Sequence, residues 1–185
     1  VLAYEKAGNS AEIIVVSING SGAVTDPTKL ADISLKGGAP SMAINTKTHE
    51  YCVTYLDADK VKIQSVSADG AVGTATQLGQ GQDNVGIIYN STDGTYTSAW
   101  LQAGTIKSET YKKCAADPDL ITPANLGDGA QAGILVQNIN GFGLFVVDAG
   151  GTSDHFTSYD SSGTGGVGQT IFAGTWNTEG FWLAA

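Results

Sequence analysis

SMAINTKTHEYCVTYLDADKVKIQSVSADGAVGTATQL, residues 41–78, decides the fold. Within it Tyr51, Val53 and Tyr55 point one way while Cys52, Thr54 and Leu56 point the other. A period of two in a run of β-branched and aromatic residues reads as a strand. Turn residues divide the stretch into four such runs, SMAIN, THEYCVTYL, KVKIQSV and TATQL. Four short strands in a row predict an antiparallel meander.

The same organisation recurs along the chain. The first strand has counterparts in NVGIIYN at 84–90, AGILVQN at 132–138 and EGFWLAA at 179–185, with centres about 45 to 47 residues apart. Second strands are VLAYE, THEYCVTYL, DGTYTSAWL and NGFGLFVVD. Third strands are EIIVVSI, KVKIQSV, IKSETY and DHFTSY, and fourth strands are KLADI, TATQL, ITPANL and GQTIF. Four strands per repeat of this length is the signature of a propeller blade. We therefore expect one all-β domain over 1–185, a β-propeller with four blades of four antiparallel strands. The repeats are approximately 1–40 plus 179–185, 41–83, 84–131 and 132–178.

The two ends of the chain complement each other. The last segment reads as an innermost strand and the first as a second strand, so pairing the N- and C-terminal strands completes one blade and closes the ring without open edges. The alternative is half of an eight-bladed propeller, completed by a second chain. The mid-blade start at Val1 predicts excision from a longer protein.

Composition excludes several functions. All nine basic residues are lysine, against eighteen carboxylates, for a net charge of −9. Such a surface repels nucleic acid and anionic membranes. The apolar runs are too short to span a bilayer, which predicts no membrane insertion. Hydrophobic residues make up 42% and charged residues 15%, and 25 glycines serve many tight turns; this is the balance of a β-rich chain with a sizeable core. The two cysteines, Cys52 and Cys114, match no zinc spacing. They form either one bridge between adjacent blades or two free thiols. Asn19 and Asn90 head glycosylation tripeptides, which count if the source is a secreting eukaryote.

SMAINTKTHEYCVTYL followed by VKIQSVSADGAVGTATQLG resembles a repeat of bacterial secreted and cell-surface propellers, with the pattern P-x-V-A-Y-N, Y-L-V-V-W, Q-x-V-S-x-D-G-x-x-G. Pro40, Ala43, Asn45, Tyr51, Val53, Gln64, Val66, Ser67, Asp69, Gly70 and Gly73 match it. In the next unit Ile88, Tyr89, Asn90, Tyr96 and Trp100 match. The first and fourth repeats agree in strand order alone, so the resemblance covers about half the chain. It implies an extracellular or cell-surface propeller and carries no ligand with it.

Catalytic motifs read as structure. STDGTYTSAW at 91–100 approximates a sialidase-like box, but that box stabilises a turn, and a chain without arginine lacks the bidentate carboxylate clamp of a sialidase. GTGGVG at 163–168 precedes a strand instead of the helix that a phosphate cradle needs. His49 and His155 stand in no metal or nucleophile spacing. Asp57 with Asp59, Asp117 with Asp119, and the SADG turn form no calcium loop. Glu5, Glu12, Glu50, Glu109 and Glu179 have no catalytic context. No cofactor, metal or catalytic residue is expected.

One face gathers candidates for binding. Connections into the innermost strands share a propeller face with the loops between second and third strands. That places Gln82, Asn84 and Asp128 with Trp176 and Asn177, an aromatic with planar polar side chains of the sort that hold sugars. The expected function is a non-catalytic extracellular scaffold for binding or assembly, with a carbohydrate, a protein surface or further copies of itself as partner. Two alternatives stand: a subunit of a self-assembling filament or surface layer, and a glycoside-acting enzyme with carboxylates from different blades.

Overall fold

The computed structural model describes residues 2–6, 11–16, 20–24, 28–33, 40–114, 124–128, 135–138, 141–147, 153–160, 164–165 and 169–173. Its fifteen strands are β1 (Leu2–Lys6), β2 (Ala11–Val16), β3 (Thr28–Ile33), β4 (Ser41–Ile44), β5 (Tyr51–Asp57), β6 (Lys60–Val66), β7 (Thr76–Gln80) and β8 (Asp83–Asn90), then β9 (Thr95–Gln102), β10 (Thr105–Tyr111), β11 (Ala124–Asp128), β12 (Leu135–Asn138), β13 (Gly141–Val147), β14 (Ser153–Asp160) and β15 (Gln169–Ala173). No helix occurs among the described residues, and none is long and apolar enough to cross a membrane.

The strands form four antiparallel meanders: β1-β2-β3, β4-β5-β6-β7, β8-β9-β10-β11 and β12-β13-β14-β15, here the first to fourth sheets. The protein is all-β, with each strand paired to its neighbour in sequence. The segment 179–185, expected to begin the first sheet, lies outside the described residues. β8 lies against β4 on one side and β12 on the other, and β3 approaches β5.

Period-two alternation gives each middle sheet two buried faces. Cys52, Ile63 and Ala43 of the second sheet meet Ile87, Tyr89, Tyr96 and Tyr111 of the third, and Leu56 and Val61 close around Trp100. The opposite side of the third sheet carries Ala99, Leu101 and Ile106, which pack on Phe142 and Leu144 of the fourth. Cys52 and Cys114 form a disulfide that ties β5 to the chain just past β10. Polar bonds also cross these seams: Ile87 N–H donates to Ser41 Oγ at 3.1 Å, and Tyr159 Oη–H donates to the Leu126 carbonyl at 3.2 Å.

In each sheet the pairing of the last two strands contains one extra residue on the outer strand. The register skips Leu30, Leu78, Leu126 and Ile171 in the four sheets. A bulge sharpens the local twist. The same irregularity recurs in all four sheets, so the last two described strands of the first and fourth sheets pair as those of the middle two do. β7 and β11 also run two residues beyond TATQL and ITPANL. Gly79, which falls just past TATQL and so in a connection when the sequence is read, instead pairs with Val61, and a Cβ there would lie 3.0 Å from Trp100 Cζ2. The glycine is a strand residue with a ring against it.

Candidate functional site

The site is one end of the third sheet and the adjoining end of the second. Asp57-Ala58-Asp59-Lys60 joins β5 to β6, and Gln102-Ala103-Gly104-Thr105 joins β9 to β10. Ala103 and Gly104 both take positive φ, 50° and 78°, the requirement of a two-residue type I′ hairpin; Ala58 stands at 59°. These hairpins bring the ends of the outer strands beside them: Gln80 pairs with Lys60, and Asp128 with Thr105.

The link from β7 to β8 is pinned between the same hairpins. Gly81 N–H donates to the Asp59 carbonyl and Gln82 N–H to the Leu101 carbonyl, both at 2.8 Å. Gly81 is buried, and a Cβ there would fall 2.5 Å from Val61 Cγ2. The chain dips under the sheet at Gly81 and returns to the surface at Gln82, whose side chain is exposed.

Register therefore brings Gln82, Asn84 at the start of β8, and Asp128 at the end of β11 to one end of one sheet. Gln80 and Gln102 stand there as well. Gln102 escaped the sequence reading because it ends a second strand rather than lying in a connection; the hairpin partner Thr105 places it. Trp176 and Asn177 lie outside the described residues.

Charge at this end is mixed. Lys62 and Asp57 form an ion pair, each about a quarter exposed. Burial, reinforced by Asp57, pushes the neighbouring Tyr55 hydroxyl up to about 12. The chemistry on offer is carboxamide donors and acceptors with carboxylates, which suits hydroxyl-bearing or backbone-like partners. Among the described residues no three His, Cys, Asp or Glu side chains come together as metal ligands would.

Other motifs are structural where they can be described. Asn45 Oδ1 accepts from the N–H groups of Lys47 and Thr48, and Asn90 Oδ1 accepts from those of Thr92 and Asp93. The two asparagines hold equivalent hairpins as Asx turns. Asn90 is 2% exposed, and its Nδ2, the atom a glycan would occupy, donates to Asp93 Oδ2 and the Gly141 carbonyl. Asn19 lies outside the described residues. In the SADG turn Ser67 bonds Asp69, which lowers the Asp69 carboxyl below its usual range. Gly165 bridges to Tyr159, whose ring a Cβ there would strike. His49 takes a left-handed conformation in the β4–β5 hairpin, and His155 of β14 pairs with Val146 of β13 and Thr170 of β15.

The fold is similar to that of a β-propeller-type protein in the crystal structure of a nidogen/laminin complex, with a TM-score of 0.50 and 14% identity. The match covers 92% of this chain and 60% of that one. No protein-family model matches the chain, and no curated protein matches it.

Proposed function

We propose that this chain is a non-catalytic extracellular scaffold whose polar end, at Gln82, Asn84 and Asp128, binds a carbohydrate or a protein surface. The observation that carries the proposal is the convergence of these residues with the β9–β10 hairpin at one end of the third sheet. Trp176 and Asn177 belong to the connection equivalent to Gly81–Gln82 in the repeat, and in this reading they complete the site. Sheets β4–β7, β8–β11 and β12–β15 are three blades of a closed four-bladed propeller, and residues 179–185 pair with β1 to close the fourth.

Two further observations support the reading. The Cys52–Cys114 disulfide is a bond that persists in oxidising compartments, which fits an extracellular or surface-displayed chain. The solved neighbour is a propeller-type protein in a complex with a protein partner.

The test is calorimetric titration and array binding with soluble glycans, using the native chain and its Gln82→Ala and Trp176→Ala variants. Saturable saccharide binding lost in both variants supports a carbohydrate site. Binding that survives both variants removes this end from the function. Light scattering on the same chain separates a compact monomer from a dimer, which would mean an eight-bladed ring, and from open-ended growth, which would make it a structural subunit.

A further inference from the structure

Among the buried polar atoms without a hydrogen-bond partner in the seam between the second and third sheets are Thr76 Oγ1, Trp100 Nε1 and Glu109 Oε2. Their levels follow from register. The Trp100 ring lies against Gly79, and Gly79 pairs with Val61 while Trp100 pairs with Lys107. Two residues further along each ladder stand the pairs Ile63–Thr76 and Ser98–Glu109. Thr76 and Glu109 are thus at matching heights on the two facing sheets.

Glu109 is only 4% exposed. The facing strands of the second sheet bring Cys52, Thr54 and Leu56 from β5, Val61, Ile63 and Ser65 from β6, and Thr76 and Leu78 from β7; none is charged. β8 brings Ile87 and Tyr89. On the same face of the third sheet, Lys107 lies beside Trp100, and Tyr111 hydrogen-bonds Ser98. Glu50 acts on the Tyr96 hydroxyl at the opposite end of the seam.

We propose that Glu109 is a protonation switch for this seam: as a neutral acid it lets the two sheets close, and as a carboxylate it loosens them. A neutral carboxyl buried in this seam costs little beyond its unmade hydrogen bonds, whereas an ionised one is disfavoured there because burial outweighs the pull of Lys107, two residues away on the same face. Burial pushes the Glu109 carboxyl from 4.5 up to about 7. Because the folded value is the higher, the closed seam binds the proton more tightly than the opened chain. The closed state therefore weakens as pH rises from 4.5 to 7, and the effect levels off above 7. The Cys52–Cys114 bridge keeps the loosened sheets tethered.

The test is amide hydrogen exchange of β10 in the whole chain, corrected for intrinsic exchange at each pH. The opening constant is expected to rise about 70-fold between pH 5 and pH 8 in the native chain and to stay flat in Glu109→Gln. A flat profile in the native chain, or the same rise in the variant, overturns the switch. Direct carboxyl titration by carbon NMR on the native chain needs no variant: a Glu109 midpoint near 7 supports the proposal, and one near 4.5 overturns it.

Discussion

Cys52 in β5 and Cys114, three residues past the end of β10, are covalently joined with their Cα atoms 5.4 Å apart, across a separation of 62 residues. Both are buried in the cluster that also holds Ile63, Tyr96 and Tyr111. The bond fastens two sheets whose side chains already interlock.

Removing that bond should destabilise the chain. Closing a loop of this length restricts the unfolded ensemble by about 4 kcal/mol in the chain-entropy treatment. Urea unfolding of the Cys52→Ala/Cys114→Ala double variant should show a midpoint lowered to match. A midpoint equal to that of the native chain would mean that packing alone holds the second and third sheets together.

Tyrosine ionisation should be late and should couple to unfolding. Burial pushes the Tyr55 and Tyr96 hydroxyls up to about 12, with help from Asp57 and Glu50 respectively, and it raises Tyr111 further. The folded chain holds these protons more tightly than the unfolded chain, so stability should fall as pH rises from 10 towards 12. Ultraviolet titration should leave these three hydroxyls protonated at pH 11 until the chain unfolds. Complete ionisation of all tyrosines near pH 10 with the fold intact would contradict the burial described.

Gly81→Ala should cost about 1–3 kcal/mol, because its methyl group meets Val61 and Leu56 in a packed seam. The same change should weaken any ligand held by Gln82, whose position follows from the link at Gly81. Thermal unfolding reads the first effect and titration the second. An unchanged melting temperature would show that the chain can shift at this point.

Asn90→Ala should destabilise by about 1–3 kcal/mol, since it leaves the N–H groups of Thr92 and Asp93 and the Gly141 carbonyl without its amide. Expression in a glycosylating host should also leave Asn90 bare. Intact-mass measurement with peptide mapping checks this, and a glycan found on Asn90 would mean the turn opens before folding is complete.

The strand order was legible because alternation and turn residues act locally. Tyr51 to Leu56 are rich in β-branched and aromatic residues and are buried almost without a break, because both faces of the second sheet are packed. Bulges were not legible: nothing local distinguishes Leu78 from its neighbours, since the extra residue is defined only by what Val61 and Lys62 pair with across the sheet. Gly79 misled for a related reason, as a turn and a ring contact favour the same residue. Glu109 gave no sign because its environment is built by distant residues such as Thr76 and Leu78 of β7, more than thirty residues earlier. Repeat spacing puts equivalent connections at the same end, which is why the sequence groups Gln82, Asn84 and Asp128; their joint role as a site is the proposal that titration tests.

The bridge between the second and third sheets also has a mechanical meaning. If a scaffold of this kind is pulled from its ends, the load passes through Cys52 and Cys114 and bypasses everything between them. At about 3.5 Å per extended residue, roughly 200 Å of chain is withheld from extension. The section that includes all of β6 to β10 would then keep its shape under tension while the strands outside it peel away.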